Sequence, residues 1–219
     1  IEFNGYMIKE IKGKGTFSIV AKVIKIRTGK YYAAKIMSKD DIVSRNMYQS
    51  IVNEIKCLNL FDHPNIVKFY ESFVIKNYKK EKLIIIITEY CEKDMFEYVK
   101  EDEFHDEKEI KAIIHGLLSS INYVHSKKYA HGDVKPENIL LTNKKEPKLC
   151  DFNFIINIDD SDENNETRKF SSIYCAPELT TEEEDSVDYL KADIWSFGVT
   201  SYLISERHLP YESMDDAMY

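Results

Sequence analysis

Close to Cys91 the hydrophobic period of this chain changes from that of strands to that of helices, and this restricts the fold more than any other feature. Upstream, Tyr6 to Met37 alternates polar and apolar residues. The alternation is interrupted at Gly13-Lys14-Gly15-Thr16-Phe17-Ser18 and at the turn Thr28-Gly29-Lys30, which predicts three antiparallel strands. Two more are expected at Ile66 to Val74 and Leu83 to Tyr90, joined by a charged hairpin tip from Lys76 to Lys82. The unbroken apolar run Leu83 to Ile87 predicts a strand buried on both faces. Between the two groups, Met47, Ile51, Ile55 and Leu58 recur at spacings of four and three, predicting a helix from Asn46 to Phe61 that ends at the turn Asp62-His63-Pro64-Asn65. Downstream of Cys91, the residues Asp106-Glu107-Lys108-Glu109 offer a capping box. They open a wide stripe of Ile110, Ile113, Ile114, Leu117, Leu118, Ile121 and Val124, and a second apolar helix is expected from Ile194 to Ile204. Strands gathered first and helices after them predict an α+β architecture.

The remaining composition excludes function classes. With 219 residues, 43% of them hydrophobic, the chain can bury a core as one large domain or as two lobes. Thirty-eight acidic against 30 basic side chains give a net charge of −8, which argues against a nucleic-acid partner. No apolar run reaches membrane-spanning length and no signal peptide opens the chain. The start at Ile1 reads as a fragment boundary. Cys57, Cys91, Cys150 and Cys175 lie far apart without metal-ligand spacing. They predict neither a zinc site nor a disulfide framework, and suit an intracellular, cytoplasmic location.

Four stretches carry chemistry. The glycines of the first hairpin lie between two strands, whereas a dinucleotide-binding loop must open a helix, so a Rossmann reading fails on context. What remains is a hairpin whose backbone can lie close over a phosphate chain, or a glycine hairpin with no ligand. On the third strand Ala33 and Lys35 share a face. Lys35 is either a sheet-edge lysine or the partner of Glu54, which lies beside the apolar stripe of the following helix. Finally, His131-Gly132-Asp133-Val134-Lys135-Pro136-Glu137-Asn138 gathers a base, a cation and a metal-ligating amide just before an apolar run. On its own it could equally be a polar loop that starts a strand. A turn later comes Cys150-Asp151-Phe152-Asn153, so two polar clusters are expected at the ends of one short hairpin, with Asp151 near Asn138.

In order, GxGxxS, AAK, a helical Glu, HGDVKPEN, DFN, APE and DIWSFG resemble the eukaryotic protein-kinase domain across nearly the whole chain. DVKPEN resembles the serine/threonine branch, and the body is somewhat similar to the calcium/calmodulin-dependent group. The resemblance implies a bilobal fold over residues 1–219: an N-lobe at 1–88 with an antiparallel sheet and one helix, a hinge at 89–92, and a mainly helical partial C-lobe at 93–219 with its activation segment at 151–178. It implies ATP and Mg²⁺ as cofactors and a protein hydroxyl as acceptor. Gly13, Gly15 and Ser18 would cover the phosphates, and Val20, Ala33 and Leu140 would sandwich adenine. Thr88 would be the gatekeeper, with Glu89 and Cys91 bonding adenine through their backbones. Lys35, braced by Glu54, would hold the α- and β-phosphates. Asp133 would be the base, Lys135 would steady the γ-phosphoryl group, and Asn138 and Asp151 would bind Mg²⁺. Asp193 would hold the His131-Gly132 backbone. Asp94 would also belong to the nucleotide site, and Glu137, Asp94 and Glu92 either favour basic residues upstream of the phosphoacceptor or are ordinary surface carboxylates.

Three residues depart from the family pattern. Gly132 replaces an Arg that would bind an activation-loop phosphate, so catalysis is expected not to depend on phosphorylation at Thr167 or Ser172. Asn153 replaces a Gly and is expected to take its left-handed backbone conformation. Ser18 replaces the last loop glycine and stiffens the loop. The acidic run Asp159 to Glu166 and the cluster Glu182 to Asp185 read as solvated surface loops. The family continues past the position of Tyr219, so the domain is expected to be truncated there. These departures keep a second reading open: a pseudokinase or weakly active scaffold that binds nucleotide or a partner protein.

Overall fold

The structure is a computed structural model and describes residues 1–15, 18–77, 79–101, 106–159, 173–180 and 187–213. The expectations for Thr16, Phe17, the acidic run beyond Asp159, Thr167, Ser172 and Glu182 to Asp185 lie outside the described residues. The chain divides into two compact units, Ile1–Asp62 with Val67–Cys91, and His63–Ile66 with Glu92–Tyr219.

The first unit is built on one antiparallel sheet. Its strands are β1 (Glu2–Phe3), β2 (Tyr6–Lys14), β3 (Ser18–Lys25), β4 (Tyr31–Ser38), β5 (Phe69–Lys76) and β6 (Lys82–Glu89), in the order β1-β2-β3-β4-β6-β5. Alternation assigns one face to the core: Ala21, Val23, Ala34, Ile85 and Ile87 pack with Phe3 and Tyr6. Ile84 and Ile86 are buried too, so the apolar run of β6 is covered on both faces as its sequence predicts. Two helices belong to this unit, α1 (Lys39–Ser44) and α2 (Tyr48–Leu60). The sequence reading lacks α1, a single short turn started by Ser38, whose hydroxyl accepts from the Asp41 amide at 3.3 Å. In α2 the buried residues are Ile51, Glu54, Cys57 and Leu58, so the buried face is rotated from the expected stripe and takes in a carboxylate.

The second unit is organised by α4 (Glu107–Ser126), which follows β7 (Lys93–Asp94) and α3 (Met95–Lys100). Its buried face is Ile113, Gly116, Leu117, Ser120, Ile121 and Val124, while Leu118, part of the expected stripe, is exposed. Small residues replace large ones where the helix is approached closely. A Cβ on Gly116 would stand 2.6 Å from Pro147 Cγ and 2.9 Å from Asn65 Nδ2. The expected capping box does not close. Asp106 accepts from the Lys108 amide, but Glu109 instead takes the Tyr98 hydroxyl and, at 2.8 Å, the Lys145 ammonium. Short strands follow: β8 (Tyr129–Ala130), β9 (Ile139–Leu141), β10 (Pro147–Leu149) and β11 (Ile156–Asn157), paired as β10-β9-β7 and β11-β8. Helix α5 (Tyr189–Glu206) starts earlier than expected because Asp188, not Asp193, is its N-cap, accepting from the Lys191 amide at 3.2 Å. Asp193 therefore lies one turn inside the helix, 2% exposed.

Candidate functional site

In the first unit the sheet register lines up most of the expected nucleotide residues on one face. Gly13 pairs with Val20, Val20 with Lys35, and Lys35 with Ile86, while Ala33, two residues from Lys35, pairs with Thr88. Ser18 opens β3, and Glu89 and Cys91 lie at and just past the end of β6. Glu54 turns inward from α2, and its Oε1 accepts from Lys35 Nζ at 2.8 Å, with the two side chains 3% and 17% exposed. A nearly buried ion pair of this kind fixes the lysine in place more than it stabilises the fold.

Gly13 and Gly15 are not in the left-handed region, so neither is required by its backbone conformation. Among the described residues a Cβ on Gly13 would meet nothing within 4 Å, so the backbone there is open to close approach.

In the second unit the 3₁₀ turn Pro136–Asn138 leads into β9, and β10 returns to Cys150. The Cys150 amide donates to the Asn138 carbonyl at 2.9 Å, which closes the hairpin and sets Asp151 one residue beyond Asn138's partner. The Asn138 amide donates through Nδ2 to the Asp133 carbonyl and to Asp133 Oδ2, both at 2.8 Å. Lys135 Nζ stands 2.7 Å from the same Oδ2. Asp133, Lys135 and Asn138 therefore form one hydrogen-bonded cluster, and the Nδ2 bonds leave Asn138 Oδ1 as the oxygen suited to a cation.

Asp193 supports this loop from α5 as expected. Its Oδ2 accepts from the His131 amide at 2.7 Å and from His125 Nε2 at 2.8 Å, and its Oδ1 accepts from the Gly132 amide at 2.9 Å. His131, 0% exposed, has a role the sequence reading leaves unassigned. Its Nε2 donates to the Cys150 carbonyl at 3.0 Å, and its Nδ1 accepts from the Asp133 amide at 3.2 Å, so one ring ties the Asp133 loop to the residue before Asp151.

Two departures read differently in three dimensions. Gly132 has φ +78°, and a Cβ there would lie 2.5 Å from the Phe154 carbonyl oxygen, so any side chain at this position is excluded by the backbone it faces. Asn153 does not take the left-handed conformation expected of it; Asp151 does, at φ +60°. Asn153 instead donates from Nδ2 to Asp151 Oδ1, a bond that the Asp-x-Asn spacing allows and the sequence reading missed. Asp94 caps α3 in a complete capping box with Glu97, accepting at 2.8 Å, which gives this expected ligand-side carboxylate a local structural role. Burial raises its carboxyl above the usual range, and Glu97 and Glu137 raise it further while backbone hydrogen bonds pull it down. Leu140 pairs with Asp94 across β9 and β7 and is half-buried.

The sequence profile of the protein kinase domain matches residues 6–219. This chain belongs to the protein kinase family. Protein kinase domains use ATP as phosphoryl donor, Mg²⁺ as metal cofactor and a protein as substrate. The donor set fits that metal: Mg²⁺ takes oxygen ligands and is commonly held by one or two protein groups together with substrate phosphates, and Asn138 and Asp151 offer oxygens. Among curated proteins, the kinase domain is 34% identical over 217 residues to death-associated protein kinase 2 of Mus musculus, covering 94% of this chain and 55% of that protein. It is 32% identical over 207 residues to the carbon catabolite-derepressing protein kinase of Candida glabrata, covering 94% of this chain and 32% of that protein. With the serine/threonine-protein kinase cds1 of Schizosaccharomyces pombe it shares 30% identity over 224 residues, covering 99% of this chain and 48% of that protein. The kinase domain thus spans about a third to a half of the length of these relatives. No helix among the described residues is long and apolar enough to cross a membrane.

Proposed function

We propose that the chain is the catalytic domain of an active serine/threonine kinase in which Asp133 orients and deprotonates the acceptor hydroxyl. The observation that carries this is the shared use of Asp133 Oδ2 by Lys135 at 2.7 Å and Asn138 at 2.8 Å. A loose, highly charged phosphoryl-transfer transition state needs fixed cations and a positioned nucleophile more than covalent help. Lys135 neutralises the moving γ-phosphoryl group, and Asn138 with Asp151 would hold Mg²⁺, which would supply further charge neutralisation. Lys35, oriented by Glu54, binds the α- and β-phosphates beneath the Gly13, Gly15 and Ser18 loop. Val20, Ala33 and Leu140 contact adenine, Thr88 is the gatekeeper, and Glu89 and Cys91 present backbone groups to the base within a hinge at 89–92. The names of the relatives, which include a serine/threonine-protein kinase, support the choice of acceptor.

The exposed Glu137 and the half-buried Asp94 are two carboxylates whose negative charge would favour basic residues upstream of the acceptor. None of the four cysteines, all described, is in a disulfide, which supports a reducing compartment such as the cytoplasm.

One experiment tests both parts: Mg²⁺-dependent phosphotransfer by the full-length protein onto a positional-scanning peptide array, wild type against Asp133→Asn. Loss of a general base predicts a rate lower by roughly 10²–10⁴-fold. Equal signal from both proteins would overturn the catalytic reading in favour of a scaffold, and a flat array would remove the basic preference alone.

A further inference from the structure

The geometry points to Asn153 as a positioning residue for the metal site, acting through Asp151 and through the water shell of the bound ion. This rests on the reading of Asp151 as a metal ligand. The Asn153 carboxamide is used on one side only. Its Nδ2 donates to Asp151 Oδ1, which limits rotation of that carboxylate, while its Oδ1 is buried with no hydrogen-bond partner among the described residues. A buried acceptor without a donor is costly, and in a native structure it calls for an explanation.

A hydrated cation supplies one. Mg²⁺ and Mn²⁺ retain ordered water when bound through few protein ligands, and every such water is a strong donor. A water carried in by the metal on Asp151 can donate to Asn153 Oδ1. Asn153 then bridges ligand and ion shell, with the amide N–H on the carboxylate and the amide oxygen on the water. Glycine offers neither contact. The backbone does not call for glycine here, because Asn153 lies outside the left-handed region, so alanine can replace it without backbone strain. The asparagine is therefore a gain for the metal site over a glycine at that position. Groups that orient a metal ligand typically change metal affinity by about 10–100-fold when removed.

The test is Mn²⁺ binding to the full chain in saturating ADP, followed by the electron paramagnetic resonance of unbound Mn²⁺. Wild type, Asn153→Ala, Asn153→Ser and Asp151→Ala are compared, with ADP affinity in EDTA measured alongside. Asn153→Ala should raise the half-saturating Mn²⁺ concentration about 10-fold or more while leaving metal-free ADP binding within about twofold. Asn153→Ser keeps a donor and an acceptor on a shorter arm and should recover part of the loss. Asp151→Ala should abolish the protein-dependent component. Equal Mn²⁺ affinity in wild type and Asn153→Ala, with Asp151→Ala still defective, overturns the role of Asn153 alone. Wild-type affinity in Asp151→Ala overturns the metal-ligand reading beneath it. A parallel loss of ADP binding without metal in Asn153→Ala assigns the residue a merely structural part and also overturns the inference.

Discussion

At position 132 a substitution that reads as a lost regulatory contact is, in three dimensions, a steric necessity. The absence of Arg is visible in the sequence, but the φ of +78° and the Phe154 carbonyl 2.5 Å from a would-be Cβ are not, because the opposing backbone belongs to a segment some twenty residues away. The consequence is testable in thermal or urea unfolding. Gly132→Ala should destabilise the domain by about 1–3 kcal/mol, the range for a residue forced into a sparsely populated backbone region. Gly132→Arg should lose at least as much and should not create dependence on a phosphorylated activation segment. A fully stable Gly132→Arg protein would mean that Phe154 gives way readily. Asn153 teaches the same lesson from the other side. Its tolerance for left-handed backbone predicts a stand-in for glycine, yet Asp151 takes that conformation and Asn153 acts through its side chain. Residue type limits what a position can do, and its neighbours decide which option is used.

Among the elements, strands and long helices are legible because burial imposes a period on them, and short or crowded ones are not. Strands β2, β3, β4 and β6 fall close to where alternation predicts, as do α2 and α4. The sequence does not announce α1, which rests on a serine cap, nor the early start of α5 at Asp188, because one polar residue resembles another until its hydrogen bonds are known. Gly116 illustrates the limit for a helix face. By propensity, glycine inside a helix is a weakness that alanine should correct by up to about 1 kcal/mol. In α4 the sign reverses: Pro147 of β10 and Asn65, whose Nδ2 donates to the Pro147 carbonyl at 3.0 Å, already fill the space a methyl group needs. Gly116→Ala should therefore destabilise by about 1–3 kcal/mol, as overpacking does. A denaturant midpoint at or above that of wild type would show that the hairpin shifts to make room.

For the whole chain, the motifs identify the chemistry before any geometry is known, and the geometry then shows how the charges are held. With a net charge of −8, the molecule as a whole does not attract a nucleotide polyanion, and Lys35 and Lys135 are each fixed by a carboxylate, Glu54 and Asp133. Metal and nucleotide should accordingly act together on stability. A ligand that binds only the folded chain stabilises it by RT ln(1 + [L]/Kd), about 2.7 kcal/mol at a hundredfold excess over Kd. For a chain of this size each kcal/mol raises the melting temperature by roughly 2–4 °C. Mg²⁺·ADP at that excess should thus raise it by roughly 5–10 °C in a thermal-shift measurement. ADP in EDTA should give a smaller shift, since no metal then neutralises the phosphate charge. Lys35→Met should remove most of the Mg²⁺·ADP shift and should also lower the melting temperature of the ligand-free protein, because it takes away the ammonium that the buried Glu54 carboxylate accepts from, a loss of about 3–5 kcal/mol. Equal shifts with and without Mg²⁺ would contradict a metal-bridged nucleotide, and an undiminished shift in Lys35→Met would mean that the phosphates are held by other residues.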